Sequence, residues 1–337
     1  MSIIFEPKRE RQLLGNIIPL NTPFVVFLDI CDKCNFRCTF CPCNTSDVSI
    51  NVRHKTMSFD LFKKIVDDMK GFNNKIRVIN LYAYGEPLLN PYFCDMLKYL
   101  REKEVCDEIR ITSNGYLLTN KLCENIVENG LDMFRFSLYG LNDNDYYIQT
   151  GVKISYKELK SKIKYLYNYN KSHGGKLKVS IKASASFINN EIKLQQLYNE
   201  YSDISDYLYV ENIDYVWPEF LFTNNYERLL FAPTKFFPNK EHTIQTSLCS
   251  FLFTHMMIFS NGDVGICNID WKHITKYSSI IDNNIIDIWN GDSLRKLRLN
   301  FCKSNIPPID FCISCKKLFY DNLDDDRDII IKRLTDD

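Results

Sequence analysis

The chain has 337 residues, and its 42 Lys plus Arg balance 42 Asp plus Glu, so it lacks the bulk basic field that non-specific nucleic-acid binding uses. Its longest uncharged apolar stretches, 24–28 and 251–259, are too short to cross a bilayer as a helix. Thirteen cysteines, with no apolar segment following Met1, point to a soluble cytoplasmic protein whose thiols stay reduced and free to act as ligands.

Residues 1–23 read as an N-terminal extension. Over 24–216, short β-rich runs alternate with amphipathic helical stretches, the signature of βα units around a parallel sheet. The predicted strands are 24–30, 75–82, 108–112, 133–138, 177–187 and 207–210. Ser58 is placed to cap a helix whose apolar face is Leu61, Phe62, Ile65, Val66 and Met69, ended by Gly71. Asn90-Pro91 opens another that carries Phe93, Met96, Leu97 and Leu100. Two more occupy 118–128 and 156–169. Six such units predict an α/β fold, a partial (β/α)6 TIM-type barrel. Residues 217–247, with Pro218, Pro233 and Pro238, read as a connector. In 248–320, two short strands flank the turn Ser260-Asn261-Gly262-Asp263, a helix covers about 285–300, and Cys312-Ile313-Ser314-Cys315 follows, which makes a small C-terminal α+β domain. Residues 321–337 form a charged tail with a helical pattern.

Just past the first predicted strand, Cys34, Cys38 and Cys41 stand as Cys-x3-Cys-x2-Cys. Three thiolates hold three irons of a cubane 4Fe-4S cluster and leave the fourth open to a non-protein ligand. The spacing by itself also admits a zinc site or unrelated thiols. Cys249, Cys267, Cys312 and Cys315 supply four further thiolates, enough to close a second cluster completely, or a structural zinc knot. Cys94, Cys106 and Cys123 fall in or beside helical segments and read as buried apolar residues. Cys31, Cys43 and Cys302 remain as spare thiols, any of which is a candidate hydrogen donor. In the fifth strand, Ser180, Lys182, Ser184 and Ser186 alternate with apolar residues and so share one face. That face either lines a barrel lumen holding a polar ligand or belongs to a solvated edge strand. In the first case Lys182 is a candidate for a cofactor carboxylate or a substrate anion.

Together these features resemble the radical S-adenosylmethionine (SAM) enzymes over residues 24–320. The first cysteine run looks like their Cys-x3-Cys-x-aromatic-Cys motif, with Phe40 at the aromatic position. The resemblance implies that the open iron is chelated by the amino and carboxylate groups of SAM. Reductive cleavage then yields a 5'-deoxyadenosyl radical that abstracts a substrate hydrogen. Tyr84-Gly85-Glu86-Pro87 is similar to the family's Gly-Gly-Glu-Pro loop, with Tyr84 in place of the first glycine; the resemblance gives Gly85 and Glu86 to the methionine amino group. Ser113 and Asn114, in Thr112-Ser113-Asn114-Gly115, match the turn after the third strand. Ser137 matches the fourth-strand serine that contacts the ribose or carboxylate. Gln149 stands where many relatives carry an arginine for that carboxylate.

The C-terminal segment resembles a SPASM/twitch domain, through Asn261-Gly262, Val264, Cys267, Asp287-Ile288-Trp289-Asn290, Arg295 and Arg298. Its four cysteines imply one auxiliary 4Fe-4S cluster. Twitch-bearing relatives include dehydrogenases of aminocyclitol alcohols. The resemblance therefore favours oxidation of a polar small molecule such as a sugar, aminocyclitol or nucleotide sugar, the auxiliary cluster taking the electron. A flavodoxin- or ferredoxin-type donor would supply the initiating electron. By position, Lys182, Asp214 and Tyr215 would orient hydroxyls or take a proton. The alternatives are an epimerase with Cys43 or Cys302 as hydrogen donor, and a ribosomal-peptide maturase, which the roughly 24 residues before the first strand disfavour. A non-catalytic zinc or iron-sulfur module is the third.

Overall fold

Six parallel strands form where the alternation of apolar residues placed them, in a computed structural model that describes residues 13–42, 55–211, 217, 248–304, 306–313, 315 and 327–336. They are β1 (Val25–Leu28), β2 (Ile76–Asn80), β3 (Cys106–Ser113), β4 (Met133–Leu138), β5 (Lys178–Ser184) and β6 (Tyr207–Glu211). Each pairs in parallel with the next in sequence, giving the partial barrel of βα units. One strand face is apolar because helices cover it. Val26, Ile79, Ile109, Phe134, Ile181 and Leu208 share a core with Phe62, Met96, Ile126 and Leu166 from the helices. The pleat then turns Arg135, Ser137, Lys182 and Ser184 the other way.

The connecting helices are Phe59–Met69, Phe93–Lys103, Asn120–Glu128, Tyr156–Ser172 and Glu191–Tyr201. Their starts are fixed by short polar side chains. Ser58 Oγ accepts from Leu61 N at 3.2 Å, Thr119 Oγ1 accepts from Leu122 N at 3.2 Å, and Ser155 Oγ accepts from Glu158 N at 3.2 Å. Ser58→Ala removes one such acceptor and is expected to cost about 1 kcal/mol, read as a lower urea midpoint at unchanged slope. Two helices escaped the sequence reading. Asp143–Thr150 buries only Tyr146, Gln149 and Thr150, and Glu191–Tyr201 buries only Leu197 and Tyr201, so neither displays a continuous apolar stripe.

The C-terminal segment extends the same sheet. β7 (His255–Ile258) lies parallel to β1, with Val25 opposite His255 and Leu28 opposite Ile258. β8 (Asp263–Gly265) and β9 (Lys276–Ser279) follow antiparallel, so the strand order is β6-β5-β4-β3-β2-β1-β7-β8-β9. Gly262 turns the β7–β8 hairpin at φ +87°, a conformation that suits glycine. β9 was not predicted; its residues are half-buried or exposed without alternation. The single helix expected over 285–300 is two, Ile285–Asn290 and Asp292–Lys303, because Gly291 between them is extended.

The tail helix Arg327–Asp336 packs back on the fold. Arg333 Nη1 donates to the carbonyls of Asn16 and Ile18 at 3.2 and 3.0 Å, and Arg295 Nε to that of Leu334 at 2.8 Å. Trp289, fully buried, donates to the Leu20 carbonyl at 2.6 Å. Of the expected connector only Trp217 is described. No helix among the described residues is long and apolar enough to cross a membrane.

Candidate functional site

At the C-terminal ends of β2–β6, a cavity of about 350 Å3 opens between the strand wall and the loop after β1. Cys34, Cys38 and Cys41 line one side of it together with Phe40. The loop that carries them is tied down on two flanks. Arg37 N donates to the Thr150 carbonyl at 2.8 Å and Thr39 N to that of Gln149 at 3.2 Å, so the end of the Asp143–Thr150 helix holds the middle of the loop. Glu86 N donates to the Lys33 carbonyl at 2.7 Å, and Asn114 Nδ2 to Asn35 Oδ1 at 2.8 Å. Phe40 packs on Tyr139, ring centroids 5.3 Å apart. Burial pushes the Cys34 thiol up to about 12 and the Cys38 thiol well above its usual value, and the neighbouring thiols add to this. Such thiols lose their protons when a metal binds.

Gly85, Glu86, Ser113, Asn114, Ser137 and Lys182 all reach the same cavity. Glu86 is buried and accepts from Ser113 Oγ at 2.7 Å, Asn114 N at 2.9 Å and Leu88 N at 3.1 Å. Burial lifts its pKa to about 7, against the pull of these hydrogen bonds. A cation brought beside it would favour the charged form. Lys182 comes from β5, which lies between β4 and β6, so its strand is not an edge. Its Nζ sits 2.8 Å from Glu211 Oε2. Burial pulls the ammonium down, but the Glu211 carboxylate outweighs it and the pKa ends above the ordinary value.

Gln149 does not reach the cavity. It is buried, its Oε1 accepts from Ser186 Oγ at 2.9 Å, and its carbonyl holds the cysteine loop. The serine at the end of the β5 run thus serves Gln149, and Gln149 serves the loop. Cys302 is buried in the main core, and burial raises its thiol to about 11. It lines neither this cavity nor the one below. Cys43, Asp214 and Tyr215 lie outside the described residues. Cys31 is buried beside the loop, its Sγ 3.7 Å from the Lys33 carbonyl. Cys106 and Cys123 are buried and Cys94 is half-buried.

The cavity has further walls that the sequence reading passed over. Arg135 stands two residues before Ser137 on β4, and the strand's alternation was enough to put both on one face. Its Nη1 donates to the Tyr82 hydroxyl at 3.4 Å. Glu211, Trp217 and Asn268 also line it. Thr112 Oγ1 and Asn268 Oδ1 are buried there without a hydrogen-bond partner among the described residues.

Cys249, Cys267, Cys312 and Cys315 surround a second, smaller cavity walled by Leu252, Ile266, Phe301 and Phe311. The Cys312–Cys315 turn is closed by Cys315 N donating to the Cys312 carbonyl at 3.2 Å. Burial raises the thiols of Cys267 and Cys312, and the other thiols of the set raise them further. Among the described residues no three His, Cys, Asp or Glu are arranged to hold a single metal ion; both thiol sets ring cavities. Tyr84 joins the two places. It lines the first cavity, and its hydroxyl donates to the Cys267 carbonyl at 3.3 Å.

Comparison with known proteins gives this geometry a setting. The family model of the radical SAM superfamily matches residues 28–179, and that of an iron-sulfur cluster-binding domain, SPASM, matches residues 249–316. Among curated relatives, a tungsten-containing aldehyde ferredoxin oxidoreductase cofactor-modifying protein of Pyrococcus furiosus is 31% identical over 113 residues, 34% of this chain and 30% of that protein. A GTP 3',8-cyclase of Crocosphaera subtropica is 28% identical over 130 residues, 37% and 36% of the two chains. The chain thus spans about a third of the length of the curated relatives it matches. The fold is shared more widely. Native anSMEcpe with bound AdoMet superposes at a TM-score of 0.60 and 14% identity, covering 93% of this chain and 98% of that one. BtrN in complex with AdoMet and 2-DOIA gives 0.53 and 16%, over 87% and 92%. Streptococcus suis SuiB bound to S-adenosylmethionine gives 0.55 and 17%, over 90% and 74%.

Proposed function

Since the chain belongs to the radical SAM superfamily and carries a C-terminal SPASM iron-sulfur domain, we propose that it oxidises a polar small molecule by abstracting hydrogen from carbon. The cofactors of that class are SAM, a 4Fe-4S cluster and auxiliary iron-sulfur. The residues here fit them. Three thiols face one cavity with no fourth cysteine on its lining among the described residues, and Gly85 brings its backbone against Asp32 where a side chain would not fit. The orphaned Thr112 and Asn268 oxygens in the same cavity offer hydrogen-bond acceptors and a donor to a polar guest.

Bound together, cluster and SAM supply one-electron chemistry that removes a hydrogen atom from a substrate carbon. The chain's own residues would do the rest. Cys34, Cys38 and Cys41 would hold three irons, Glu86 would take the methionine ammonium, and Ser137 with Asn114 would orient the nucleoside. Phe40 and Tyr139, packed ring to ring beside the thiols, would shield a cluster there from water. The four thiols around the second cavity would hold an auxiliary cluster, a destination for the electron that oxidation releases. The observation that carries this reading is one cavity shared by the thiol triad and the charged wall of β4–β6. An epimerase would need a hydrogen donor at that cavity; of the two candidates, Cys302 is placed away from it and Cys43 lies outside the described residues.

Anaerobically loaded protein is expected to hold about eight irons with matching sulfide, and to release 5'-deoxyadenosine on reduction with SAM. With substrate, oxidation predicts a product two electrons more oxidised and no solvent deuterium at the attacked carbon. Deuterium there would instead indicate epimerisation, and turnover only of a peptide would indicate a maturase. Zinc without sulfide would overturn the radical-enzyme reading altogether.

A further inference from the structure

We propose that the wall formed by β4, β5 and β6 binds an anionic group of the substrate, a carboxylate or a phosphate, through Arg135 and Lys182, with Glu211 as the counter-ion that gives way to it. The word substrate rests on the radical-enzyme reading; the anion site does not.

The register builds the site. Arg135 lies opposite Ser180 and Ser137 opposite Lys182, so the two cations are diagonal neighbours on one face of the sheet, and both line the cavity. Ser184 opposite Glu211 brings the carboxylate from β6 to the same wall. Like charges on adjacent strands are unfavourable unless an anion sits between them; Arg135 lowers the Lys182 pKa while Glu211 raises it. Among the described residues the other charges near this wall are engaged elsewhere: Arg110 pairs with Glu108 on β3, and Glu86 is filled by Ser113, Asn114 and Leu88.

Glu211 is suited to yielding. Its side chain is 53% exposed, so the carboxylate can leave the pair for water, and an ion pair with one partner this exposed contributes little to stability. A ligand anion that enters the cavity meets an ammonium and the planar fork of a guanidinium, which recognises carboxylate and phosphate in two-point fashion. Thr112, whose hydroxyl has no partner among the described residues, lies on the same cavity and can donate a further hydrogen bond.

The test is a titration of the full-length, cluster-loaded protein saturated with SAM, using inorganic phosphate, acetate and, as the neutral control, glycerol. One anion is expected to bind at a single site without displacing SAM, and the tighter of the two identifies the group. Arg135→Met and Lys182→Met are each expected to weaken it about tenfold, while Lys182→Arg retains it. Glu211→Gln removes the competing carboxylate and is expected to strengthen anion binding about fivefold, a gain that misfolding cannot mimic. Mutual exclusion of anion and SAM, or loss of SAM affinity in the Met variants, would overturn the proposal and give the cations to the cofactor carboxylate. Equal affinity in all variants would overturn it too. The titration needs no turnover, so an absence of 5'-deoxyadenosine release would count against the proposed reaction and leave the anion site standing.

Discussion

Cys38→Ala is expected to abolish reductive cleavage of SAM and to halve the iron content, leaving about four irons at the proposed four-thiol site. The reason is the count of ligands. Cys34, Cys38 and Cys41 face one cavity with no other cysteine on its lining among the described residues, and Cys31, the spare thiol that precedes the run, is buried with its Sγ at the Lys33 carbonyl. Two thiolates cannot retain a cubane whose third protein-bound iron has lost its ligand. Cys31→Ala is the control and is expected to keep both iron and cleavage. Iron and sulfide analysis with a 5'-deoxyadenosine assay checks both variants. Full iron in Cys38→Ala would mean that the first cluster is held elsewhere.

Gly85→Ala is expected to destabilise the fold and empty the first site together. A Cβ at residue 85 would lie 2.6 Å from the Asp32 carbonyl carbon and closer still to the carbonyl oxygens of Cys31 and Lys33. All three are backbone atoms, and one is the acceptor for Glu86 N, so no side chain can swing aside. Overpacking of this kind costs about 3 kcal/mol. The displaced segment leads directly into Cys34, which couples the stability loss to loss of iron. Urea denaturation and iron analysis read the two effects; an unchanged midpoint would show that the loop after β1 yields more easily than its hydrogen bonds suggest.

The strands were legible because each carries one apolar face under helices, and β4 forms over the very residues, 133–138, that its pattern marked. The thiol triad, Gly85, Glu86, Ser113, Asn114 and Ser137 met in one cavity because each follows or ends a parallel strand, and those ends lie side by side. Gln149 illustrates the limit. Its place on the chain says which helix end it occupies, but not that Ser186 takes its side chain. Arg135 was readable from its alternation with Ser137 and was passed over because a lone arginine among apolar residues draws no attention without a partner. The pairing of β7 with β1 joins residues about 230 apart, and no local pattern encodes such a contact. The helix break at Gly291 rests on one extended glycine, where a Cβ would run into the Asp287 carbonyl oxygen of the preceding helix.

The position of β7 bears on modularity. β1 has β2 on one side and β7 on the other, so the C-terminal third supplies an interior ladder of the sheet. Removing residues 248–337 would strip β1 of one of its two partners and bare Val25, Phe27 and the row of backbone amides beside them, an open edge of the kind that recruits other chains. The segment that carries the second thiol set and the barrel therefore share one sheet, so loss of that segment would be felt along β1 itself.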